Sequence, residues 1–164
     1  NVFGGKITTY RKLAENALVD IAPFFPNLSG PWTAGVPLPG GDLAVADVED
    51  RLAQLLRDYP FLTPRSALRL FRAYGTEAWD MLGTAQSAAD LGRDFSATLS
   101  EQELRWSFAN EYTKTAEDMI WRRSKLGLRL SQKEIAALEA FFDDYHSKPE
   151  KTSKRKAKQV ALDP

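Results

Sequence analysis

No cysteine occurs in this chain, and histidine occurs once, at His146. The first absence excludes a disulfide framework and a thiolate metal site. The second leaves no multi-histidine metal centre and no histidine relay within one chain. No metal site is therefore expected. No apolar run approaches the length that spans a bilayer, and no secretory signal is visible. The expected compartment is the cytoplasm, or the cytoplasmic face of a membrane. Strand-type alternation and internal repeats are missing as well.

What is present is an ordinary globular composition, 43% hydrophobic and 27% charged over 164 residues, long enough for one core. The formal net charge of zero hides an asymmetry. From Lys148 onward six basic residues stand against two acidic ones, so the tail carries +4 and the preceding body −4. An acidic body repels phosphate, and no nucleic-acid partner is expected. The tail lacks aromatics for base stacking and fits either a solvated end or contact with an anionic membrane surface.

The periodicity is helical nearly throughout. Leu13, Ala17 and Ile21, flanked by Ala14 and Leu18, form an apolar stripe with Thr8 or Thr9 as cap, and Pro23 and Pro26 end it. Residues 26–43 hold four prolines and four glycines and read as an irregular connector, either packed by Trp32, Val36 and Leu38 or mobile. Val48, Leu52, Leu55, Leu56 and Tyr59 mark the next helix. Thr63-Pro64 opens another, closed at Tyr74-Gly75, and a short one runs from Thr76 to Gly83. Residues 84–99 read as a loop with one turn at most.

Ser100 and Glu103 have the spacing of a capping box, as do Ser131 and Glu134. Between those two helices the pattern predicts helix from Thr115 to Gly127. The fold expected is all-α: an irregular orthogonal helical domain of about six helices over 44–146. It is preceded by a terminal segment (1–25) and the connector (26–43), and followed by a disordered basic tail (147–164).

Two constellations could carry chemistry. Gly4-Gly5-Lys6-Ile7-Thr8-Thr9 has the layout of an anion-binding helix start: glycines for close approach, a lysine, then capping hydroxyls. A phosphate or a reduced flavin ring would suit it, and so would a plain glycine turn before a capped helix. A site so near a terminus needs walls from elsewhere and reads as part of a longer protein. In Glu111–Gly127, Asp118 and Arg122 stand four apart in the order that favours pairing, and Arg123 and Lys125 complement a helix C-terminus. A structural role is expected there, with Trp121 packed. His146 reads as a surface residue at the exit of the last helix. Trp32, Trp79 and Trp106 read as core or interface.

With both constellations in hand, the segment from Phe3 to Glu15 resembles the GGK(L/I)TTYRxLAE segment of the FAD-dependent sn-glycerol-3-phosphate dehydrogenases. Leu38-Pro39-Gly40-Gly41, Tyr74-Gly75 and the block from Asp118 to Gly127 follow in the family's order. The last is similar to D-x-L-x-RRTKxG, with Ser124 in place of threonine. The resemblance covers residues 1 to about 146 and implies the C-terminal portion of the aerobic, respiratory enzyme. That enzyme oxidises sn-glycerol 3-phosphate to dihydroxyacetone phosphate and passes electrons through FAD to quinone. It also implies that Gly4, Gly5, Ile7, Thr8 and Thr9 contact the flavin, and that Lys6 lines the active site.

The partners so implied are the N-terminal FAD-binding and substrate domains of the same parent chain, sn-glycerol 3-phosphate and quinone. A peripheral location on the cytoplasmic face of the inner membrane is implied as well. No G-x-G-x-x-G with an acidic partner is present, so the nucleotide-binding half of an FAD site is missing and this chain alone is expected to be inactive. A glycerol-3-phosphate oxidase domain and a helical interaction module are the alternatives.

Overall fold

The computed structural model describes residues 3–147. Six α-helices form the frame: α1 (Tyr10–Ile21), α2 (Val48–Asp58), α3 (Pro64–Tyr74), α4 (Glu77–Leu82), α5 (Glu101–Asn110) and α6 (Gln132–Ser147). A π-helical turn (Asp118–Arg123) and short 3₁₀ turns join them. The chain is all-α, and among the described residues the nearest thing to a sheet is one isolated bridge between Asp94 and Ser100. No helix among them is long and apolar enough to cross a membrane. The basic tail from Lys148 on lies outside the described residues.

Local chemistry accounts for most helix ends. The Thr63 hydroxyl accepts from the Ser66 amide at 3.1 Å, and Pro64 takes the first helical position, where its missing N–H costs nothing. Gly75 and Gly83 end α3 and α4 with φ of +55° and +57°, backbone that other residues adopt only under strain. At α6 the capping box closes in full. The Ser131 amide donates to Glu134 Oε2 at 2.7 Å, and the Glu134 amide returns to Ser131 Oγ at 3.4 Å.

The box expected at α5 closes only halfway. The Glu103 amide donates to Ser100 Oγ at 3.3 Å, but the Glu103 carboxylate turns inward, with 1% of its side chain exposed. There it accepts from Arg69 at 2.7 and 2.5 Å and from the Tyr74 hydroxyl at 2.8 Å. Arg69 also donates to the Thr98 hydroxyl and carbonyl, both at 2.6 Å. Those bonds fasten Ser96, Ala97 and Thr98, three successive residues at φ +71°, +50° and +72°. Backbone of that kind persists only where its surroundings over-determine it.

This polar cluster stands between two apolar ones. Leu55, Leu70, Phe71 and Met81 centre the first, built on α2, α3 and α4. Leu99, Leu104, Met119, Ile120, Leu138 and Phe142 centre the second, under α5, the π turn and α6. α5 serves both, since Leu104 enters the second while Trp106 packs against the first. Trp79 packs there too, its indole N–H donating to Asp58 at 2.8 Å.

Several expectations need correction. The helix expected over 115–127 is shorter and ends at Arg123 as a π turn. Trp32, Val36 and Leu38 do not pack the connector, because all three are exposed. Trp32 is accordingly not a core residue. The loop at 84–99 contains its single 3₁₀ turn, Ala88–Leu91, with a Ser87–Asp90 capping box that the pattern reading overlooked.

Candidate functional site

Gly4 and Gly5 have φ of +84° and +123°, so both occupy backbone that favours glycine. A Cβ on Gly4 would meet nothing within 4 Å, whereas one on Gly5 would stand 3.0 Å from Leu13 Cδ2. Lys6 is extended, a 3₁₀ turn (Ile7–Thr9) follows, and α1 begins at Tyr10. Neither threonine caps α1. The Thr9 hydroxyl instead donates back to the Lys6 carbonyl at 3.2 Å, tightening the turn. The reason is local: Thr9 closes the 3₁₀ turn at φ −115° and ψ 9°, and its hydroxyl turns back to that turn rather than forward to α1.

All of Gly4, Gly5, Lys6, Ile7, Thr8 and Thr9 are exposed, with Ile7 at 88%. Among the described residues no carboxylate pairs with Lys6. The segment is thus an open, cationic glycine turn ahead of a helix, with room for a ligand on one side and no walls on the other. α1 behind it buries no residue; Leu13, Leu18 and Ile21 of its apolar side are exposed. Glu15 ties α1 down at one point, accepting from Thr33 Oγ1 at 2.9 Å and Arg11 at 2.8 Å. The Thr33 hydroxyl, ahead of the Arg11 and Lys12 charges, holds the Glu15 carboxyl below the usual carboxylate range.

The second constellation is a self-paired surface. Asp118 accepts from the Lys114 and Thr115 amides at 3.0 Å each, and the Thr115 hydroxyl accepts from the Asp118 amide at 3.1 Å. Those backbone amides, first Lys114 and then Thr115, hold the Asp118 carboxyl below its ordinary value. Arg122 pairs with Asp118 at 2.9 Å and Glu117 at 3.1 Å, and Arg123 with Glu111 at 3.4 Å. Lys125 Nζ donates to the Trp121 carbonyl. Trp121 packs only in part: its indole lies over Gly127, where a Cβ would stand 2.5 Å away, and 38% of it is exposed. The lone histidine donates from Nε2 to the Lys114 carbonyl, 2.8 Å away, and is a surface residue. Among the described residues no hydrogen bond or ion pair joins this block to Gly4–Thr9.

At the start of α6 the position an anion would take is filled from within. Glu134 accepts there, and its carboxyl is held at about 2 by the Ser96 hydroxyl first and the Ser131 amide and hydroxyl next. The surrounding cleft, lined by Arg93, Phe95, Ser96 and Lys133, is shallow. No group of His, Asp and Glu among the described residues could hold a metal ion.

Pattern reading missed two further features. The Arg69–Glu103–Tyr74 cluster gave no periodic signal, and the capping-box spacing offered a competing role for Glu103. Burial and the neighbouring carboxylate push the Tyr74 hydroxyl far above its ordinary value, so it stays a proton donor. The second is that Leu38-Pro39-Gly40-Gly41 and Tyr74-Gly75 touch. The Thr76 amide donates to the Gly40 carbonyl at 3.1 Å.

Residues 31–155 match the family described as the C-terminal domain of alpha-glycerophosphate oxidase. A glycerol-3-phosphate dehydrogenase of Pseudomonas aeruginosa is 44% identical over 146 residues, 89% of this chain and 28% of that protein. A D-erythritol 1-phosphate dehydrogenase of Brucella abortus is 44% identical over 146 residues, 88% and 29% of the two chains. The aerobic glycerol-3-phosphate dehydrogenase of Escherichia coli is 39% identical over 145 residues, again 88% and 29%. The chain therefore spans less than a third of the length of these relatives.

Proposed function

The chain belongs to the family of alpha-glycerophosphate oxidase C-terminal domains, and from that premise we propose that it completes a flavoenzyme. The parent enzyme would oxidise sn-glycerol 3-phosphate to dihydroxyacetone phosphate, with electrons leaving through FAD to quinone. FAD, when bound, supplies the hydride acceptor. One observation carries the reading: Gly4–Thr9 is a fully exposed glycine turn with a cation, Lys6, that no carboxylate of the described chain neutralises.

The residues present fit a flavin edge. Gly4 leaves open space where a side chain would stand, and Gly4, Gly5, Ile7 and Thr8 offer backbone amides beside the start of α1, while the Thr9 amide is taken by the Lys6 carbonyl at 3.0 Å and leaves Thr9 its side chain for contact. Lys6 would balance the negative charge that a reduced ring or a phosphorylated substrate brings. The walls of that site, the quinone site and the N-terminal FAD-binding and substrate domains belong to the rest of the parent chain. On this reading the segments 1–25, 26–43 and 44–146 are the edge of the FAD domain, the connector and the helical C-terminal domain. The working place is the cytoplasmic face of the inner membrane, where quinone is reached.

Purified full-length parent should be yellow and reduce a dye with glycerol 3-phosphate. Purified residues 1–164 should be colourless and inert; a yellow, active fragment overturns the reading.

A second reading concerns the substrate and the acceptor. The Brucella relative, as similar as the Pseudomonas one, is named for D-erythritol 1-phosphate. The family description names an oxidase. A higher kcat/KM for erythritol phosphate than for glycerol 3-phosphate, or stoichiometric peroxide from oxygen, would favour those alternatives.

A further inference from the structure

The connector between α1 and α2 meets the helical body through its backbone, and the contact is reciprocal. Gly40 and Gly75 lie at φ +74° and +55°. A Cβ on Gly40 would stand 2.0 Å from the Tyr74 carbonyl oxygen, and one on Gly75 would stand 1.8 Å from the Gly40 carbonyl oxygen. Approach this close is open to glycine alone. The Thr76 amide donates to the Gly40 oxygen, and the Thr76 hydroxyl donates to the Asp42 carboxylate. Tyr74 carries the contact inward, since its carbonyl faces Gly40 while its hydroxyl donates to the buried Glu103. Toward the other end, Thr33 donates to Glu15 on α1. The connector is fastened to α1 on one side and to the α3–α4 junction on the other.

We infer that Gly40, Asp42, Gly75 and Thr76 are positioning residues, forming a latch that sets where the helical body stands relative to Gly4–Lys6. Through that segment the latch aligns the body with the flavin and the polyol phosphate, so the inference rests on the flavoenzyme reading above. An unfastened connector of this composition samples many end-to-end arrangements. A backbone-to-backbone contact removes that freedom without depending on any rotamer. Alignment matters because displacement of a reacting group by an ångström lowers rate by about 10²-fold.

The test uses the full-length parent enzyme. Gly75→Ala should retain its flavin, lose at least about tenfold in kcat/KM for glycerol 3-phosphate, and be cleaved faster by chymotrypsin within 26–39. Thr76→Val should move both readouts the same way by less, and Thr76→Ser should restore them. Where Gly75→Ala does not fold, the valine and serine pair decides by the same measurements. Unchanged kcat/KM beside faster cleavage overturns the positioning role, and unchanged cleavage overturns the latch. Flavin loss in proportion to activity also overturns it, leaving the glycines a merely structural part. If the unsubstituted parent oxidises no polyol phosphate, the flavoenzyme reading fails and the positioning role falls with it, while cleavage still reports whether the latch exists.

Discussion

Residues 3–48 and 55–147 obey the same helical grammar and end in opposite states. Fifteen of the eighteen exposed large hydrophobic side chains among the described residues lie in 3–48, and every buried hydrophobic one lies at Leu55 or beyond. α1 has an apolar stripe, as α3 does, yet α3 buries Ala67, Leu70, Phe71 and Tyr74 while α1 buries nothing. Amphipathic spacing thus reports that a helix has an apolar face, not what covers it. On the function proposed above, the cover for α1 is the remainder of the parent enzyme.

Substitutions can break this contrast, beginning where the effect is largest. Glu103→Ala leaves the partly buried Arg69 without its carboxylate and should cost about 3 kcal/mol of stability; denaturant midpoints on residues 1–164 measure it. Leu138→Ala empties a fully buried site in the second apolar cluster and should cost about 2–5 kcal/mol by the same assay. A cost below 1 kcal/mol for either would mean that the body is not the packed unit described.

Acid sharpens the contrast next. Glu134 has its folded carboxyl lowered from 4.5 to about 2, so the unfolded chain binds more protons between those values. Its stabilisation is complete above pH 4.5 and fades as pH falls toward 2. Glu134→Gln should flatten that part of the stability profile, and a profile unchanged by the substitution would remove the assignment.

The smallest effects belong to the N-terminal region. Leu18→Ala should change the stability of residues 1–164 by no more than about 0.5 kcal/mol. Lys6→Ala should leave the midpoint of the chain unmoved but lower kcat in the full-length parent by about 10²-fold. Equal activity of the parent with and without Lys6 would take that residue out of the site.

Much of the fold was readable along the chain because its determinants are local. Thr63-Pro64, Gly75, Gly83 and the Ser131–Glu134 box each act within four residues, and all end helices where the pattern places them. The Thr9 cap and the Ser87–Asp90 box were missed for local reasons, but other readings failed because a distant partner outcompeted a local one. Glu103 had a capping role available within its own turn and took Arg69 instead, because a guanidinium bonded at two nitrogens outweighs one weak amide contact. The π turn seats Met119 and Ile120 in the second apolar cluster, where they meet residues such as Leu99 and Leu138 that lie outside any window around them. Of the candidate site, the residue types and their order were legible, while their exposure was not.

By itself, then, the sequence determined that the chain is helical, where most helices stop and which family the chain belongs to. Tertiary structure alone decided that Glu103 is buried with Arg69, that Gly40 and Gly75 touch, and that α1 stands uncovered. The division has a physical reason. Capping, glycine turns and helical periodicity are set by neighbours within a few residues, whereas burial and pairing are set by residues thirty or more positions away, which only folding brings together.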